Sequence, residues 1–462
     1  MTAQLWTSEE AAKATGGEAK GDWTISGLSI DTRSLEWGDL FVPIKDARDG
    51  HDFIPNARAG GAAAVISENP NEQAPALIVK DSVQAMRDLG VAARKRSKAK
   101  RIAVTGSVGK TSLKEAIAVI CGSVGRTHKS IKSFNNHWGV PLTLARMPKD
   151  TEYGVFEVGM NHAGELADLS PLIAPQIAVI TKIAPAHLAH FKNVGAIAEA
   201  KAEIFEGLAV GGAAILNRDD DYFDFLAKAA SKKDAAIISF GAHKDASVRI
   251  EGAKSEAGRQ SADLVIDGES YALSLPLDGA HWIENAACAV AACLAAGINP
   301  EKSVAALRGF RALPGRGEAI DVKIDGKLFT LIDDSYNANP ESMKAAIETL
   351  SSRASGRKIA VLGDMFELGK DELDLHAALS VPLIEADVSR VIFTGECMRA
   401  LKGALPRQMR GAWVRNWEGA YEALRHELSD GDTVLIKGSN ATGLSQLVAA
   451  IRKEQKGVAD VL

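Results

Sequence analysis

The sequence predicts an α/β protein of about three domains built on parallel sheets. Its 462 residues correspond to about three domains of roughly 150 residues each. Short apolar runs alternate with helix-length stretches along most of the chain, which is typical of βα units joined into parallel sheets. Several of these runs are almost continuously apolar, as strands covered on both faces are.

The composition argues against several classes of protein. With 46% hydrophobic and 24% charged residues, it is that of a globular protein. The chain has 54 Lys and Arg residues and 59 Asp and Glu residues. It therefore lacks the excess of basic residues that is typical of nucleic-acid-binding proteins. The four cysteines form no Cys-x-x-Cys pair, which favours free buried thiols over a zinc ribbon.

Two stretches bear on the location of the protein. The longest apolar stretch, residues 286–298, is too short to cross a bilayer and predicts a helix buried against a sheet. Glu9 and Glu10 stand where a signal peptide has its apolar core. We therefore expect a cytoplasmic protein.

The first predicted domain covers residues 1–98. Residues 40–44 (LFVPI) and 62–67 (AAAVIS) are predicted strands, and the apolar spacing of 83–93 predicts a helix. Six basic residues follow within 94–101, with no aromatic residue among them. We interpret this basic run as a solvated helix end and linker rather than a nucleic-acid surface.

The second predicted domain, residues 99–314, begins with a strand at 101–106 (RIAVTG). Helix-length stretches separate the further predicted strands, which lie at 151–159, 177–183 and 211–217. The Pro- and Gly-containing run at 311–318 marks a hinge or linker to the next domain.

The third predicted domain, residues 315–462, repeats this alternation. Its strands are predicted at 329–335, 358–365, 390–395 and 432–439. Ligands of open α/β sheets bind beyond the carboxyl ends of the strands. Polar side chains occupy those ends here and are candidate ligand contacts: Asp333, Asp334, Asp364, Lys437 and Ser439.

A glycine-rich loop, TGSVGKTS at 105–112, separates a predicted strand from a predicted helix, which is the setting of a phosphate-binding loop. Its glycines let successive backbone N–H groups face phosphate oxygens at the start of the helix. Lys110 is placed to reach the β- and γ-phosphates, and the Thr111 hydroxyl to ligate Mg²⁺. The predicted nucleotide contacts are Gly106, Ser107, Val108, Gly109, Lys110, Thr111 and Ser112.

The loop departs from the common pattern at one position. Val104 stands where the G-x-x-x-x-G-K-[ST] form has its first glycine, so this is a shorter G-x-x-G-K-T variant. A strand–helix turn with a chance lysine is the alternative. The flanking strand and helix favour binding of a nucleoside triphosphate.

Starting at this loop, the chain resembles the Mur ligase family of ATP-dependent amide-forming enzymes. The matching stretches follow in family order: 156–166 (FEVGMNHAGEL), 183–191 (IAPAHLAHF), 199–205 (EAKAEIF), 278–290 (DGAHWIENAACAV), 333–343 (DDSYNANPESM), 361–369 (VLGDMFELG) and 437–439 (KGS). Residues 30–66 resemble the UDP-binding domain of the family. The resemblance implies a small α/β UDP-binding domain, a central P-loop ATPase domain on a parallel sheet, and a C-terminal Rossmann-like ligase domain.

Three runs, 133–144 (SFNNHWGVPLTL), YNANP and GDM-x-ELG, resemble the family member that takes a dipeptide. The implied reaction is ATP-dependent ligation of D-alanyl-D-alanine to UDP-N-acetylmuramoyl-tripeptide through an acyl phosphate, which forms the pentapeptide precursor of peptidoglycan. ATP and Mg²⁺, with two ions, are the implied cofactors. We expect a monomer that binds neither nucleic acid nor a membrane.

The resemblance also implies a magnesium site in which a carbamylated lysine supplies an anionic ligand: its members are Thr111, Glu157, His187 and Lys201. A carbamate forms only on an unprotonated amine, which burial favours by depressing the pKa. The residues alone favour plainer interpretations. Glu157 fits an exposed strand-end carboxylate, His187 a hydrogen-bonded structural residue, and Lys201 a solvated lysine on a helix.

The remaining roles are implied by position within the motifs. The implied catalytic residues are Lys110, Lys201, His187 and Asn136. The implied nucleotide contacts outside the loop are His281, Asn285, Arg316, Asp334 and Asn337. The implied substrate contacts are Ser29, Asp31, Arg33, Ser34, Asp49, His51, Asn135, Asn136, Tyr336 and Asn339.

Some of these residues also fit purely local roles. Asn285 fits the N-terminal cap of the Ala-rich helix. The run 333–343 fits a turn before a helix, with Pro340 at the first helical position. Arg316 fits a surface arginine in a hinge.

Other functions stay open at this point. A relative that adds the third amino acid would carry a D-N-P-R selector where this chain has YNANP, and a folylpolyglutamate synthase would lack the UDP-type first domain. A P-loop NTPase switch would use the outer domains to bind partners. Three domains around one nucleotide imply hinge motion, so we expect an open arrangement that holds Lys110 and Asp334 too far apart to share it.

Overall fold

A computed structural model describes residues 4–186, 188–353 and 356–459. Over these residues the chain forms four sheets, three of them mainly parallel and flanked by helices. The predicted α/β class is confirmed. His187, predicted as a catalytic and metal-binding residue, lies outside the described residues.

The N-terminal part of the chain contains a small, mostly parallel sheet. Its elements are β1 (Trp6–Thr7), α1 (Ser8–Thr15), β2 (Glu18–Lys20), β3 (Thr24–Ile25), β4 (Gly27–Ser29), β5 (Asp39–Phe41), α2 (Ile54–Ala59), β6 (Ala64–Ser67), β7 (Ala76–Ile78) and α3 (Ser82–Arg96). β1 pairs with β3, and the sheet has the order β2-β7-β6-β5-β4. Only the β2–β7 pair in this sheet is antiparallel.

The central part is built on a nine-stranded sheet in the order β16-β15-β14-β13-β12-β11-β8-β10-β9. Its elements are β8 (Lys100–Thr105), α4 (Lys110–Gly122), β9 (Thr127–Lys129), α5 (Gly139–Ala145), β10 (Tyr153–Glu157), α6 (Glu165–Ile173), β11 (Ile177–Ile180), α7 (Val194–Ala202), β12 (Ala213–Asn217), α8 (Phe223–Ser231), β13 (Ala236–Gly241), β14 (Val248–Glu256), β15 (Arg259–Ile266), β16 (Glu269–Leu275), α9 (His281–Ala295) and α10 (Pro300–Leu307).

Both faces of this central sheet are buried. Along β8, Ile102 and Val104 join the core under α4 and α9, while Ala103 between them joins the core on the opposite face. Side chains of a strand alternate between faces, so a strand covered on both sides is apolar throughout. The Ala-rich stretch is indeed a buried helix, α9.

The sequence reasoning missed the strands β13 to β16. β14, β15 and β16 extend the parallel sheet by an antiparallel meander. The β15–β16 turn contains Asp267 and Gly268 with φ of 51° and 85°. Asp-Gly with positive φ at both positions is the signature of a tight hairpin, and this signal was present in the sequence.

The C-terminal part carries a six-stranded sheet in the order β17-β18-β22-β19-β20-β21, antiparallel only between β17 and β18. Its elements are β17 (Glu318–Ile324), β18 (Lys327–Asp334), α11 (Pro340–Arg353), β19 (Lys358–Gly363), α12 (Glu372–Ala378), α13 (Ser380–Glu385), β20 (Arg390–Thr394), α14 (Met398–Ala404), β21 (Arg410–Val414), α15 (Trp417–Glu427), β22 (Thr433–Lys437) and α16 (Leu444–Ala459). In the part of the chain that the structure describes, no helix has the length and apolar character needed to cross a membrane.

The basic run at 94–101 is not a solvated linker throughout, as the sequence suggested. Arg94 donates to the carbonyls of Pro171 and Leu172 at 2.6 and 2.8 Å, and Arg101 donates to those of Ile173 and Ala174. These carbonyls end α6, where the helix has no N–H partners for them. The two guanidinium groups therefore cap α6 and tie α3 and β8 to it.

We expect Arg101→Met to lower the free energy of unfolding by about 1.5–3 kcal/mol, because it removes charge-assisted hydrogen bonds from partly buried carbonyls. Urea denaturation measures this change. Lys98→Met, at an exposed position of the same run, is the control and should stay within about 0.5 kcal/mol of the parent. Equal losses for both variants would contradict the capping role.

Candidate active site between the central and C-terminal sheets

The carboxyl ends of the central and C-terminal sheets face one cavity of about 400 Å³. From the central part, the phosphate loop, Glu157 and the start of α9 line it; from the C-terminal part, the segment after β18 and the end of β22 do. The predicted residues that line it are Ser107, Val108, Gly109, Lys110, Thr111, Ser112, Asn135, Glu157, His281, Asn285, Arg316, Asp334, Tyr336, Asn337, Asn339 and Lys437.

The phosphate loop is fixed against the end of β11. The Thr181 hydroxyl donates to the Val108 carbonyl at 2.6 Å, and the Ser107 hydroxyl donates to the Ala184 carbonyl at 2.9 Å. Gly106 has a φ of 149°, and a Cβ there would overlap the Thr181 hydroxyl. Only glycine fits this close approach, which places the loop at the N-terminus of α4, where anions bind.

Lys110 lies at the first position of α4, beside the loop. Its ammonium donates to the Gly106 carbonyl at 2.7 Å. Burial lowers the pKa of Lys110 below its usual value; the carboxylate of Glu157 opposes this shift and the positive charge of Arg316 adds to it. A cation in this position can offset the charge of a bound polyphosphate.

Glu157 ends β10 with a carboxylate that is almost fully buried, at 1% exposure. Its Oε1 accepts a hydrogen bond from the Asn135 amide at 2.7 Å, whereas Oε2 has no hydrogen-bond partner among the described residues. Glu157 is thus not the exposed strand-end carboxylate that the residues alone suggested. A buried carboxylate oxygen beside a cavity fits a hard cation, and Thr111 adds a buried hydroxyl to the same cavity.

Lys201 is buried on α7, with 1% of its surface exposed. The interpretation of this residue as a solvated helix lysine is therefore wrong. Burial, and to a lesser degree the positive charge of Lys110, lower the pKa of Lys201 well below its usual value. A larger share of this amine is unprotonated than in an ordinary lysine.

The start of α9 forms another wall of the cavity, with His281, Glu284 and Asn285. α9 begins at His281, so Asn285 lies one turn inside the helix and is not its N-terminal cap. Burial lowers the pKa of His281 to about 4, with a smaller contribution from the positive charge of Lys437. His281 is therefore a neutral imidazole at neutral pH.

The C-terminal part contributes an ion pair between a buried lysine and a partly buried carboxylate at the ends of β18 and β22. Lys437 donates to Asp334 at 2.7 Å and to the Asn337 carbonyl at 2.9 Å. Burial raises the pKa of Asp334, although Lys437 and Arg316 oppose the shift. The Arg316 guanidinium lies over the Tyr336 ring, 4.1 Å from its centroid, so it points into the site rather than to the surface.

The turn interpretation of 333–343 is also confirmed. α11 begins at Pro340, and Asn339 Oδ1 accepts the Ser342 N–H at 2.8 Å. Asn339 therefore supports the start of α11 and lines the cavity at once.

Among the described cavity residues, two side-chain contacts join the central and C-terminal parts. The Ser133 hydroxyl bonds to the Tyr336 hydroxyl, and Lys182 pairs with Glu341. Lys110 and Asp334 line the same cavity. The open arrangement expected from the sequence is therefore not found.

Asn135 and Asn136, adjacent in the sequence, face different surroundings. Asn135 bonds to Glu157 and lines the cavity. The side chain of Asn136 accepts the Gly139 N–H at 2.9 Å at the start of α5, and it is not among the cavity residues. The Asn136 side chain thus supports the start of α5 and does not line the cavity.

The residues predicted to contact a UDP-sugar lie in the N-terminal part and outside this cavity. Asp31 accepts a hydrogen bond from the Arg33 guanidinium at 2.7 Å, and Asp49 accepts one from the His51 N–H at 2.9 Å. The Arg33 side chain is 88% exposed. The group comprises Ser29, Asp31, Arg33 and Ser34, at or just after the end of β4, and Asp49 and His51, just before α2.

Sequence reasoning missed seven polar residues of the cavity: Ser133, Asn161, Thr181, Lys182, Glu284, Glu341 and Ser342. Ser133 opens the quoted SFNN run, and Lys182 follows β11 directly, so position after a strand was a usable signal for Lys182. Glu284 and Glu341 lie in the first turns of α9 and α11, and their local sequence does not distinguish them from exposed helix residues.

Comparison with known proteins gives matches along most of the chain. Residues 104–293 match the Mur ligase middle domain, residues 315–440 the Mur ligase glutamate ligase domain, and residues 24–113 the Mur ligase family catalytic domain. UDP-N-acetylmuramoyl-tripeptide–D-alanyl-D-alanine ligase of Escherichia coli is 34% identical over 97% of this chain and 98% of its own length. The Bacillus subtilis protein of that name is 36% identical over 92% of each chain.

Solved structures give the same result. A crystal structure of MurF from Acinetobacter baumannii superposes with a TM-score of 0.86 at 30% identity, covering 98% of this chain and 100% of that one.

We expect acid to destabilise the protein through His281. In the unfolded chain its imidazole takes up a proton below its usual pKa of 6.5, whereas the folded protein resists this until about pH 4. The stabilising difference is therefore present above pH 6.5 and is lost as the pH falls toward 4.

His281→Asn should flatten the dependence of the unfolding midpoint on pH across this window, as measured by thermal denaturation in a series of buffers. The exposed His426→Asn is the matched control and should leave the dependence unchanged. A parent-like slope in His281→Asn would contradict the expectation.

Proposed function

The chain belongs to the Mur ligase family, and we propose that it joins D-alanyl-D-alanine to UDP-N-acetylmuramoyl-tripeptide in an ATP-dependent reaction. The product is the pentapeptide precursor of peptidoglycan. One observation carries this proposal: a single cavity combines a phosphate-binding loop with charged residues of a second sheet, in a chain that matches ligases of this name over nearly its full length.

A carboxylate must be activated before an amine can attack it. Transfer of the γ-phosphoryl group of ATP to the tripeptide carboxylate gives an acyl phosphate and ADP. The dipeptide amine then attacks the acyl carbon, loses a proton, and inorganic phosphate leaves. The protein contributes mainly by positioning the reactants and stabilising charge.

ATP is bound in this proposal between the phosphate loop and α9. Backbone N–H groups of the loop and the Lys110 ammonium face the phosphates, while His281 and Asn285 lie at the adenine end. The neutral imidazole of His281 suits contact with adenine, which is uncharged. Arg316, Asp334 and Asn337 approach from the C-terminal sheet.

Magnesium fits the donor set on the central sheet. Glu157 offers a buried carboxylate oxygen without a partner among the described residues, and Thr111 offers a hydroxyl at the helix start. The metal would supply positive charge that offsets repulsion between the phosphate and carboxylate anions. His187 is retained as a ligand by its position in the family motif only.

Lys201 is proposed to carry a carbamate. Its low amine pKa permits reaction with CO₂, which converts a buried cation into an anionic oxygen ligand. This conversion would also remove the cost of a buried positive charge. Glu157 and the carbamate would then hold the second of the two magnesium ions that the family resemblance implies.

The precursor is proposed to extend from the N-terminal part to the cavity. The exposed Arg33 presents a planar fork of donors suited to a diphosphate, with Ser29, Asp31, Ser34, Asp49 and His51 around it. Asn135, Tyr336 and Asn339 would contact the peptide end of the precursor. Asn136 would fix the backbone at the start of α5, next to Asn135.

The remaining proposals concern the chain as a whole. We assign residues 1–98 to UDP-precursor binding, 99–314 to ATP binding and 315–462 to a Rossmann-like ligase domain. We propose that the protein acts as a monomer. The cytoplasm, where nucleotide precursors and ATP are available, is the proposed location.

The decisive experiment follows phosphate release from ATP and Mg²⁺ with UDP-N-acetylmuramoyl-tripeptide, with and without D-alanyl-D-alanine, together with the mass of the nucleotide product. We expect release to depend on the dipeptide, and the product to be heavier by the dipeptide less water. Stimulation by a single amino acid on the dipeptide precursor would indicate the ligase of the preceding step. Phosphate release that depends on neither the tripeptide nucleotide nor the dipeptide would contradict the proposed ligation.

We expect ¹³C-bicarbonate to give a carbamate carbon resonance in the parent protein that is absent in Lys201→Met. The signal should grow as the pH rises, because the neutral amine is the reacting species. Lys192→Met, at an exposed position, is the control and should retain the resonance. A spectrum without the carbamate signal at saturating bicarbonate would contradict the modification.

A further inference from the structure

α4 carries a second lysine, Lys114, that is fully buried. Its ammonium donates to the Ser130 carbonyl at 2.8 Å and to the Lys132 carbonyl at 2.7 Å, and it pairs with Glu115 at 2.9 Å. An ammonium has three N–H donors. Each of the three therefore has a partner, and two of those partners belong to one turn, residues 130–136.

This turn has a conformation that needs support. Lys132 has a φ of 50°, in the left-handed region that side chains other than glycine rarely adopt. The Lys114 ammonium bonds the carbonyl of this residue directly. The bond therefore stabilises the turn at its least favourable position.

The same turn holds Glu157 from two sides. The Ser130 hydroxyl accepts the Glu157 N–H at 3.1 Å, and the Asn135 amide donates to Glu157 Oε1 at 2.7 Å. The Asn135 carbonyl accepts the Gly159 N–H at 2.8 Å. These bonds orient the carboxylate and leave its other oxygen for the cavity.

The turn also reaches the C-terminal part, because the Ser133 hydroxyl bonds to the Tyr336 hydroxyl. One turn thus contacts both the candidate metal ligand and the facing sheet. Lys114 connects it to the helix whose first residues form the phosphate site.

We propose that Lys114 is a positioning residue for the ligase reaction: it holds the 130–136 turn so that Asn135 orients Glu157 and Ser133 meets Tyr336. The proposal rests on the proposed function of the cavity. Lys114 acts through the turn and does not itself line the cavity.

The chain offers a matched control in Lys129. Lys129 pairs with the other oxygen of Glu115, but its side chain is half-exposed and no hydrogen bond joins it to the described residues of the turn. Burial raises the pKa of Glu115, but hydrogen bonds from Lys129 and Lys114 outweigh it and lower the pKa overall. Removing either lysine therefore takes one ion pair from Glu115. Only the loss of Lys114 also removes the hydrogen bonds to the turn.

The test compares Lys114→Met, Lys114→Arg and Lys129→Met by three measurements. Hydrogen exchange reports the protection of amides 130–136, Mn²⁺ titration by electron paramagnetic resonance with a non-hydrolysable ATP analogue reports the metal site, and steady-state kinetics separates kcat from KM. Thermal denaturation checks that each variant is folded.

For Lys114→Met we expect faster exchange in the turn, and Mn²⁺ affinity and kcat lowered by about 10- to 100-fold, the usual effect of removing a group that orients a ligand. KM for the dipeptide should change less. Lys114→Arg, which keeps the charge but not the spacing of the donors, should be intermediate, and Lys129→Met should resemble the parent.

Parent-like exchange in the turn and parent-like Mn²⁺ affinity in a folded Lys114→Met would overturn the proposal. If Lys114→Met does not fold, parent-like exchange and parent-like Mn²⁺ affinity in Lys114→Arg would overturn the proposal. Exchange and Mn²⁺ binding need no turnover, so they test Lys114 even if the parent protein fails to ligate. That failure would count against the proposed function alone.

Discussion

A buried positive charge needs a partner or must lose its proton, and this constraint shapes the site around four lysines. Lys437 is paired with a carboxylate at the end of β18. Lys114 is paired with its neighbour on α4 and with two carbonyls. Lys110 bonds one carbonyl of the phosphate loop, which leaves its charge available to an anion. Lys201 has no ion pair with a described residue and instead has a strongly lowered pKa. The four environments therefore suit four different tasks: fixing a strand end, fixing a turn, binding phosphate and supplying a reactive amine.

The contacts between the three parts of the chain differ in kind. The N-terminal and central parts are joined through buried groups: the Trp6 indole donates to the Ala145 carbonyl at 2.9 Å, and Arg146 donates to the Leu28 carbonyl at 2.6 Å. The C-terminal part meets the cavity through side-chain ends, as in the Lys182–Glu341 pair. Partly exposed ion pairs contribute little free energy, whereas unpaired buried donors cost more. The Lys182–Glu341 pair is thus a weaker contact than these two hydrogen bonds, while Arg353 and the buried Asp278 form a further ion pair between the central and C-terminal parts.

The sequence predicted the strands that lead to the site because their apolar runs and polar ends are local features. β10, β11 and β22 fall within predicted runs, and β8 and β18 begin one and two residues before theirs. The environment of a helix residue is not local: nothing around Lys201 distinguishes a buried lysine from a solvated one, since its burial depends on what packs against α7. The same limit explains Asn285, whose place in α9 depends on where the helix begins. The Asp-Gly turns at 267–268 and 325–326, which precede β16 and β18, could have been predicted from the sequence, but they have no part in the cavity.

The carboxylates of Glu157, which is buried, and Asp334, which is partly buried, face the cavity with different partners. Asp334 already has Lys437 at 2.7 Å, so a metal there would have to displace or approach an ammonium. Among the described residues, the Glu157 carboxylate accepts a hydrogen bond only from a neutral donor, the Asn135 amide, while the Glu157 N–H donates to the Ser130 hydroxyl. The other carboxylate oxygen has no partner among these residues. An amide orients a carboxylate without cancelling its charge. This asymmetry favours the proposed cation site on the central sheet over one at Asp334, whose charge Lys437 already offsets.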